Sequence, residues 1–132
     1  MFGEEIASGQ GKRTGRRVVG TEPLNVEVSF EEYTKLLGLE GLNIGTYHST
    51  TKPDGSLHGM GEGAFSSMAG EMATWKALGS GGFTPEGTLH YKGFLSFTTT
   101  APKLASLNAT AVVFEFTTDL QGNTKSRLWA WK

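Results

Sequence analysis

Residues 109–131 read ATAVVFEFTTDLQGNTKSRLWAW, and this stretch decides the fold. Two runs rich in Val, Phe, Thr and Trp flank a short turn that ends at Gly122, which is typical of a β-hairpin. If Gly122 takes the positive φ of a three-residue loop, Glu115 lies opposite Arg127. The sequence therefore predicts two antiparallel strands in a defined register.

The two faces of this hairpin differ in chemistry. One face carries Phe114 and Phe116, whereas the other carries Glu115 and Arg127 beside tryptophans. If the charged face points inward, the pair would orient a polar ligand in a partly dry pocket. If it points outward, it is an ordinary cross-strand ion pair and the tryptophans form an exposed patch. The sequence leaves both orientations open, although the phenylalanine face is the better core.

The same rhythm of strand-like runs and glycine-centred turns extends through the rest of the chain. Segment 31–37 fits either the end of a strand or a helical turn. Residues 101–108 break the alternation, because Leu104 and Leu107 fall three apart, and they predict a short helical turn. Strands are predicted over 4–20, 25–33, 42–51, 56–66, 71–83, 88–99, 109–118 and 124–131.

This pattern predicts an all-β fold. We expect residues 1–132 to form one domain, an up-and-down antiparallel barrel of about eight strands. Closure removes the edge strands that an open sheet of this length would expose. A barrel of this size either fills with side chains or holds one small ligand.

One face of the central strands is expected to line the lumen. A loop at 85–87 predicts Trp75 opposite Leu95, and the Trp75 indole is expected to cover the alternate glycines of 59–63. Those glycines do not form a phosphate loop, which needs a strand before it and a helix after it. The expected ligand contacts are Trp75, Tyr91, Phe97, Phe114, Glu115, Arg127 and His48.

Composition excludes several classes of function. The 132 residues include no Cys, so thiol nucleophiles, disulfides and thiolate metal sites are excluded. Twelve basic and 13 acidic residues give a net charge of -1, which favours neither nucleic acid nor an anionic membrane as a partner. The 19 glycines, about twice the usual share, suit turns and bends in curved strands.

The sequence has no pattern of a signal peptide and no apolar run of membrane-spanning length. We therefore expect a cytoplasmic protein. Because Trp129 and Trp131 would need a cover if they face outward, we also expect a homo-oligomer with both at its interface.

Histidines and basic residues provide two further candidate sites. None of the three histidines has a second ligand at metal-binding spacing, so neither a metal nor another cofactor is predicted. His48, beside Tyr47, is the one whose mutation would test an activity. Four cations within 12–17 indicate either an anion site or a solvated strand that uses charge to prevent edge pairing.

The second half of the chain resembles a family of small uncharacterised bacterial proteins with an allene oxide cyclase-like barrel. The resemblance is carried by the segments GMGEG (59–63), GEMATW (70–75), YKG (91–93), KLASLN (103–108) and the final hairpin from Phe114 to Lys132. It implies an eight-stranded antiparallel barrel, an oligomer and no established activity. Plant allene oxide cyclases share the barrel type, but none of their functional residues stands at a matching position.

These observations favour a barrel that holds a small, mostly apolar molecule in its lumen. Confinement and one acid or base would also suit isomerisation or cyclisation, without a cofactor. The alternative is a barrel packed solid that serves only as an oligomeric interaction module. No catalytic residue is predicted, and an enzymatic role stays open.

Overall fold

The fold is a closed barrel whose eight strands are hydrogen-bonded in sequence order, each antiparallel to the next. A computed structural model describes Phe2–Lys132. Pairing of the first strand with the last closes the cylinder, which confirms the predicted all-β barrel. The strands are β1 (Phe2–Thr21), β2 (Leu24–Leu36), β3 (Leu39–Thr51), β4 (Leu57–Ser67), β5 (Met72–Phe83), β6 (Leu89–Thr98), β7 (Val112–Thr118) and β8 (Asn123–Trp131).

The turn between β7 and β8 has the predicted register. Gly122 has a φ of 84°, and Asp119 accepts hydrogen bonds from the backbone N–H groups of Gln121 and Asn123, each 2.9 Å long. Glu115 lies opposite Arg127 as expected. The loop chemistry of Asp and Gly was therefore sufficient to predict this pairing.

The predicted register of the hairpin β5–β6 was wrong by two residues. Trp75 lies opposite Phe97, whereas the sequence argument placed it opposite Leu95. The loop is closed by Thr84, whose N–H donates to the Thr88 carbonyl at 2.8 Å, and counting from this pair gives the observed register. A shift of two residues keeps every side chain on its face, so the predicted inner face is unaffected.

Segment 31–37 belongs to a strand and not to a helical turn. β2 continues to Leu36, which pairs with Leu39, and the chain reverses through Leu37 and Gly38. Both turn residues have positive φ, 47° and 83°. This backbone suits a two-residue hairpin turn, in which glycine carries little strain.

The short helical turn predicted for 101–108 is present as a 3-10 helix over Pro102–Ala109. Its leucines Leu104 and Leu107 are buried in the core. Asn108 ties the helix to the end of β6, because its side chain both accepts from the Thr99 N–H and donates to the Thr99 carbonyl, each at 2.9 Å. The connection from β6 to β7 therefore adds apolar packing to the barrel.

Candidate functional site

The inner faces of the strands enclose a cavity of about 80 Å³. Aromatic rings form much of its wall. The centroid of Phe116 lies 5.0 Å from that of Phe30 and 5.6 Å from that of Tyr47. Trp75 continues this wall, 6.3 Å from Phe30 between ring centroids. The cavity is therefore bounded mainly by ring faces and edges.

Glycines make room for these rings. A β-carbon at Gly45 would lie 2.6 Å from the Trp75 ring, and one at Gly63 would overlap the same indole. At Gly59 the neighbour is Tyr91, 3.0 Å from the β-carbon position. Among the alternate glycines of 59–63, Trp75 thus covers Gly63 as predicted, while Tyr91 covers Gly59. Both rings lie against a wall of bare backbone.

One carboxylic acid, Glu32 of β2, lies inside the barrel. It is 1% exposed and lines the cavity. The Ser126 hydroxyl donates to its two carboxyl oxygens at 2.7 and 3.0 Å. Within Phe2–Lys132 no basic side chain forms an ion pair with it. Burial raises the pKa of Glu32, and the hydrogen bonds from Ser126 and Thr124 only partly oppose that shift.

The surroundings of Glu32 are small and polar. A β-carbon at Gly9 of β1 would lie 3.0 Å from the Glu32 Oε1 atom, so this glycine leaves space for the carboxyl group. Asn43 of β3, the cross-strand partner of Glu32, also lines the cavity. Its side-chain oxygen accepts a hydrogen bond from the Trp75 Nε1–H at 2.7 Å, which fixes the indole. The cavity therefore has one polar region within an aromatic wall.

Two buried hydroxyls lie near this polar region. Thr118 and Thr124 are cross-strand partners on β7 and β8, and their side chains are 4% and 1% exposed. The Thr118 hydroxyl lies close enough to Tyr47, and the Thr124 hydroxyl close enough to Glu32, to lower the pKa of each neighbour. Both hydroxyls therefore add to the polar region of the cavity wall around Glu32 and Tyr47.

Two tyrosines complete the lumen. Tyr47 and Tyr91 meet edge to face, with ring centroids 5.9 Å apart. Burial raises the pKa of both hydroxyls, and the neighbouring Tyr91 adds to the shift at Tyr47. The Tyr91 hydroxyl lies 2.5 Å from Ser49 Oγ. Both phenols are therefore neutral at ordinary pH and can donate or accept a hydrogen bond.

The sequence argument missed Glu32, although its position carried a signal. Val28 and Phe30 define the inward face of β2, and Glu32 follows in the same period-two phase. An acidic residue in phase with a buried apolar face is unusual, because burying an unpaired carboxylate is costly. The odd-numbered acids Glu27 and Glu31 lie on the other face of the strand, where acids are ordinary.

The structure divides the predicted ligand contacts between the two faces of the wall. Four of them line the cavity, namely Trp75, Tyr91, Phe97 and Phe114. Glu115 and Arg127 lie on the outer surface, so the final hairpin turns its phenylalanine face inward. His48 also faces outward, with its Nε2 atom 3.3 Å from the Glu27 carboxylate.

The outer charged residues do not pair as the sequence suggested. Glu115 and Arg127 are cross-strand partners, but the Arg127 guanidinium bonds to Glu5 at 2.6 Å and lies over the Trp129 ring. Glu115 instead approaches His90 at 3.9 Å. In the 12–17 cluster, Arg17 contacts Glu27 at 3.2 Å. These exposed contacts form no enclosed site.

Apolar side chains cross the outer surface in one continuous row. Each member is the cross-strand partner of the next, from β4 to β8. Trp131 stacks on one member, Phe94, with ring centroids 5.8 Å apart, and Phe2 stacks on Trp129 at 5.1 Å. We call this row the outer apolar belt; it consists of Met60, Leu78, Phe94, Val113 and Trp129.

Two further features are absent from Phe2–Lys132. Nowhere in that range do three or more His, Asp or Glu side chains come together as a metal site would require. The range also contains no helix long and apolar enough to cross a membrane.

Comparisons with known proteins support the fold. No protein-family model and no curated protein sequence matches the chain. A protein of unknown function from Clostridium acetobutylicum ATCC 824 has a similar structure, with a TM-score of 0.85 at 14% identity over 98% of both chains. A β-barrel-like protein from Acinetobacter baumannii AYE gives a TM-score of 0.82 at 15% identity, covering 98% of this chain and 94% of that one.

A fungal protein has the same type of barrel at lower similarity. It is an enzyme from Penicillium herquei, with a TM-score of 0.62 at 14% identity over 96% of this chain and 92% of that one. Similarities at this level of identity establish the fold alone. The chain is therefore an eight-stranded β-barrel similar in structure to uncharacterised bacterial barrel proteins.

Proposed function

We propose that the barrel binds a small, mostly apolar molecule in its lumen, with the polar end of that molecule directed at Glu32. The observation that carries the proposal is a buried carboxyl group in the wall of an apolar cavity. Such a group contributes little to stability, since an apolar side chain of similar size would serve the core better. Buried acids with a perturbed pKa cluster at functional sites.

The size of the cavity limits its ligand. A water molecule needs about 10–15 Å³ of such space, so about 80 Å³ accommodates a molecule of roughly five to eight non-hydrogen atoms. This is well below the several hundred Å³ of sites for drug-sized ligands. It is also more than the void-free core expected of a solid interaction module. The geometry therefore favours a ligand of the size of a small ring compound.

The same site would suit isomerisation or cyclisation. A snug apolar wall restrains the shape of a bound molecule, and Glu32 offers a proton next to it. The fungal enzyme with this barrel type supports the view that the architecture can host catalysis. Fold similarity does not transfer a reaction, so binding is the primary proposal and catalysis a possible extension of it.

Nuclear magnetic resonance provides a direct test of ligand binding in the lumen, because the three tryptophans give separate signals from the inner and outer faces of the barrel wall. Trp75 lines the cavity, whereas Trp129 and Trp131 lie outside it. Titration with toluene should shift the indole N–H signal of Trp75 and leave the other two unchanged. At about 0.6 kcal/mol for each non-hydrogen atom of toluene, an affinity near millimolar is expected.

A cavity-filling variant sharpens this test. Ala77 lines the cavity, and Lys76 is exposed on the same strand. Ala77→Leu should abolish the shift of the Trp75 signal, whereas Lys76→Leu should retain it. If toluene leaves the Trp75 signal of the wild-type protein unchanged, or shifts it equally in both variants, the lumen does not bind ligands of this class.

We also propose that the outer apolar belt is covered by a second copy of this chain. Met60 and Phe94 of the belt, and Trp131, which stacks on Phe94, are each more than half exposed, and an apolar surface of this kind is typical of an interface. Beside the belt, the cross-strand partners Lys92, Glu115 and Arg127 alternate in sign. In a dimer with a two-fold axis, the acidic residue of one copy can therefore lie opposite a basic residue of the other.

Native mass spectrometry tests this second proposal and also reports any retained ligand. The wild-type protein should be a dimer or larger at micromolar concentration, and Phe94→Lys should shift it towards the monomer. Tyr33→Lys is the matched control, because Tyr33 is 73% exposed but lies away from the belt. A monomeric wild-type protein would refute the assembly without affecting the ligand proposal.

A further inference from the structure

We propose that Glu32 acts as a neutral hydrogen-bond donor to the lumen ligand, so that the barrel selects uncharged molecules that carry an oxygen acceptor, such as a ketone, over hydrocarbons and cations. This inference rests on the proposed lumen binding and adds the class of ligand. The residues that define it are Glu32, Ser126 and the small side chains around them.

In its protonated form the acid has a hydrogen to donate. A serine hydroxyl has one hydrogen, and Ser126 directs it to the Glu32 carboxyl group. In its protonated form Glu32 has one O–H group of its own. Ser126 donates to the carboxyl group and cavity space lies in front of it, so an oxygen acceptor on a ligand would compete with the Thr124 hydroxyl for this hydrogen.

The electrostatic environment favours the protonated form. Burial raises the pKa of Glu32. The side chains that face it are Ser126 and Thr124 of β8 and Asn43 of β3, while β1 presents Gly9 and Gly11. None of these carries a charge.

The other titratable groups of the lumen are Tyr47 and Tyr91, both neutral at ordinary pH because burial raises the pKa of each. Arg13 of β1 approaches Gly122 at the end of the barrel, and its charge and that of Arg16 both act on Tyr47. The hydrogen bonds from Ser126 and Thr124 therefore replace only part of the stabilisation that water gives to a carboxylate.

Three ring compounds of matched size distinguish the alternatives. Cyclohexanone carries an acceptor, methylenecyclohexane is its apolar counterpart, and cyclohexylammonium carries a positive charge. The indole N–H signal of Trp75 reports binding of each, with Trp129 and Trp131 as internal references. The quantity measured is the affinity for the ketone relative to that for the hydrocarbon in the same protein, which cancels general changes in the cavity.

Two substitutions isolate the donor. Glu32→Leu removes it at similar volume and should lower the relative affinity for the ketone about fivefold, as expected for one hydrogen bond. Glu32→Gln keeps an N–H donor that does not titrate. In the wild-type protein the relative affinity should fall as the pH rises and Glu32 ionises, whereas in Glu32→Gln it should stay constant.

Each outcome decides between the proposals. If no compound shifts the Trp75 signal, the lumen proposal itself fails. If ketone and hydrocarbon respond equally to Glu32→Leu, the lumen binds ligands but Glu32 does not select them. If cyclohexylammonium binds best, and more tightly as the pH rises, Glu32 is an anionic anchor and the neutral-donor inference is wrong.

Discussion

Glu32 and Glu115 are acids on opposite faces of the same barrel wall. Glu32 is buried, accepts a hydrogen bond from Ser126 and has a raised pKa. Glu115 is 39% exposed and lies 3.9 Å from His90 across the outer surface. Glu115 drew attention in the sequence because a cation stands opposite it, yet the acid with unusual chemistry is the one without a charged partner. Burial, more than charge pairing, distinguishes the side of the wall that carries the proposed ligand site.

The largest difference between the two faces is expected in how much a truncated side chain lowers the free energy of unfolding. Phe65 points inward and is 1% exposed, whereas Tyr33 points outward and is 73% exposed. Phe65→Ala removes a buried ring and should lower the free energy of unfolding by about 3–5 kcal/mol. Tyr33→Ala should change it by no more than about 0.5 kcal/mol. Urea denaturation measures both, and similar losses would contradict the assignment of the faces.

Adding a methyl group in place of a glycine hydrogen also distinguishes the inner face from the outer surface. A β-carbon at Gly63 would overlap the Trp75 ring, while Gly82, on β5, has open space around it. Gly63→Ala should destabilise the barrel by about 1–3 kcal/mol, because the ring or the backbone must move. Gly82→Ala should be neutral or slightly stabilising, since alanine lowers the entropy of the unfolded chain. Equal melting temperatures for the two variants would show that Trp75 does not rest on Gly63.

The pH dependence of stability should identify Glu32. Its pKa is raised above the ordinary value of 4.5, so the folded state holds the proton more tightly than the unfolded state. The stability that this proton provides is fully present below pH 4.5 and is lost as the pH rises through the raised pKa. Relative to wild type, Glu32→Gln should therefore gain stability with rising pH, by about 1.4 kcal/mol for each unit of the shift.

Thermal melts of the wild-type protein and Glu32→Gln between pH 4 and pH 8 measure this difference. Asp54, Glu71 and Asp119 have lowered pKa values because of hydrogen bonds from neighbouring groups, and they favour folding at higher pH. All three are present in both proteins, so their effect cancels in the comparison. A difference that does not change with pH would mean that Glu32 ionises in the folded state as easily as in water.

Local chemistry explains which parts of this structure could be predicted. The register of β7 and β8 followed from Asp119 and Gly122, and the helical turn followed from the spacing of Leu104 and Leu107. The predicted register of β5 and β6 was wrong because the residues that close the loop were counted incorrectly. The prediction of which residues face inward was nevertheless correct.

The candidate site was predicted only in part, because the cavity is built by contacts between distant strands. Aromatic residues such as Trp75 were recognisable as wall from alternation alone. The contact between Glu32 and Ser126 joins β2 to β8, residues far apart in the chain. No local pattern indicates that pairing, but the phase of Glu32 within β2 would have identified it as an inward-facing acid.

The smallest effect is expected for the ion pair between Arg127 and Glu5. The Arg127 side chain is 60% exposed, so water and salt screen its attraction to Glu5 despite the 2.6 Å contact. Glu5→Gln should therefore cost about 0.2–1 kcal/mol in low salt and less in high salt. Urea denaturation at two salt concentrations measures this, with Glu4→Gln as the control because Glu4 is exposed and belongs to no ion pair within the described residues. A loss that salt does not reduce would mean that the outer wall also contains a desolvated charge, and the contrast between the faces would then not follow from burial.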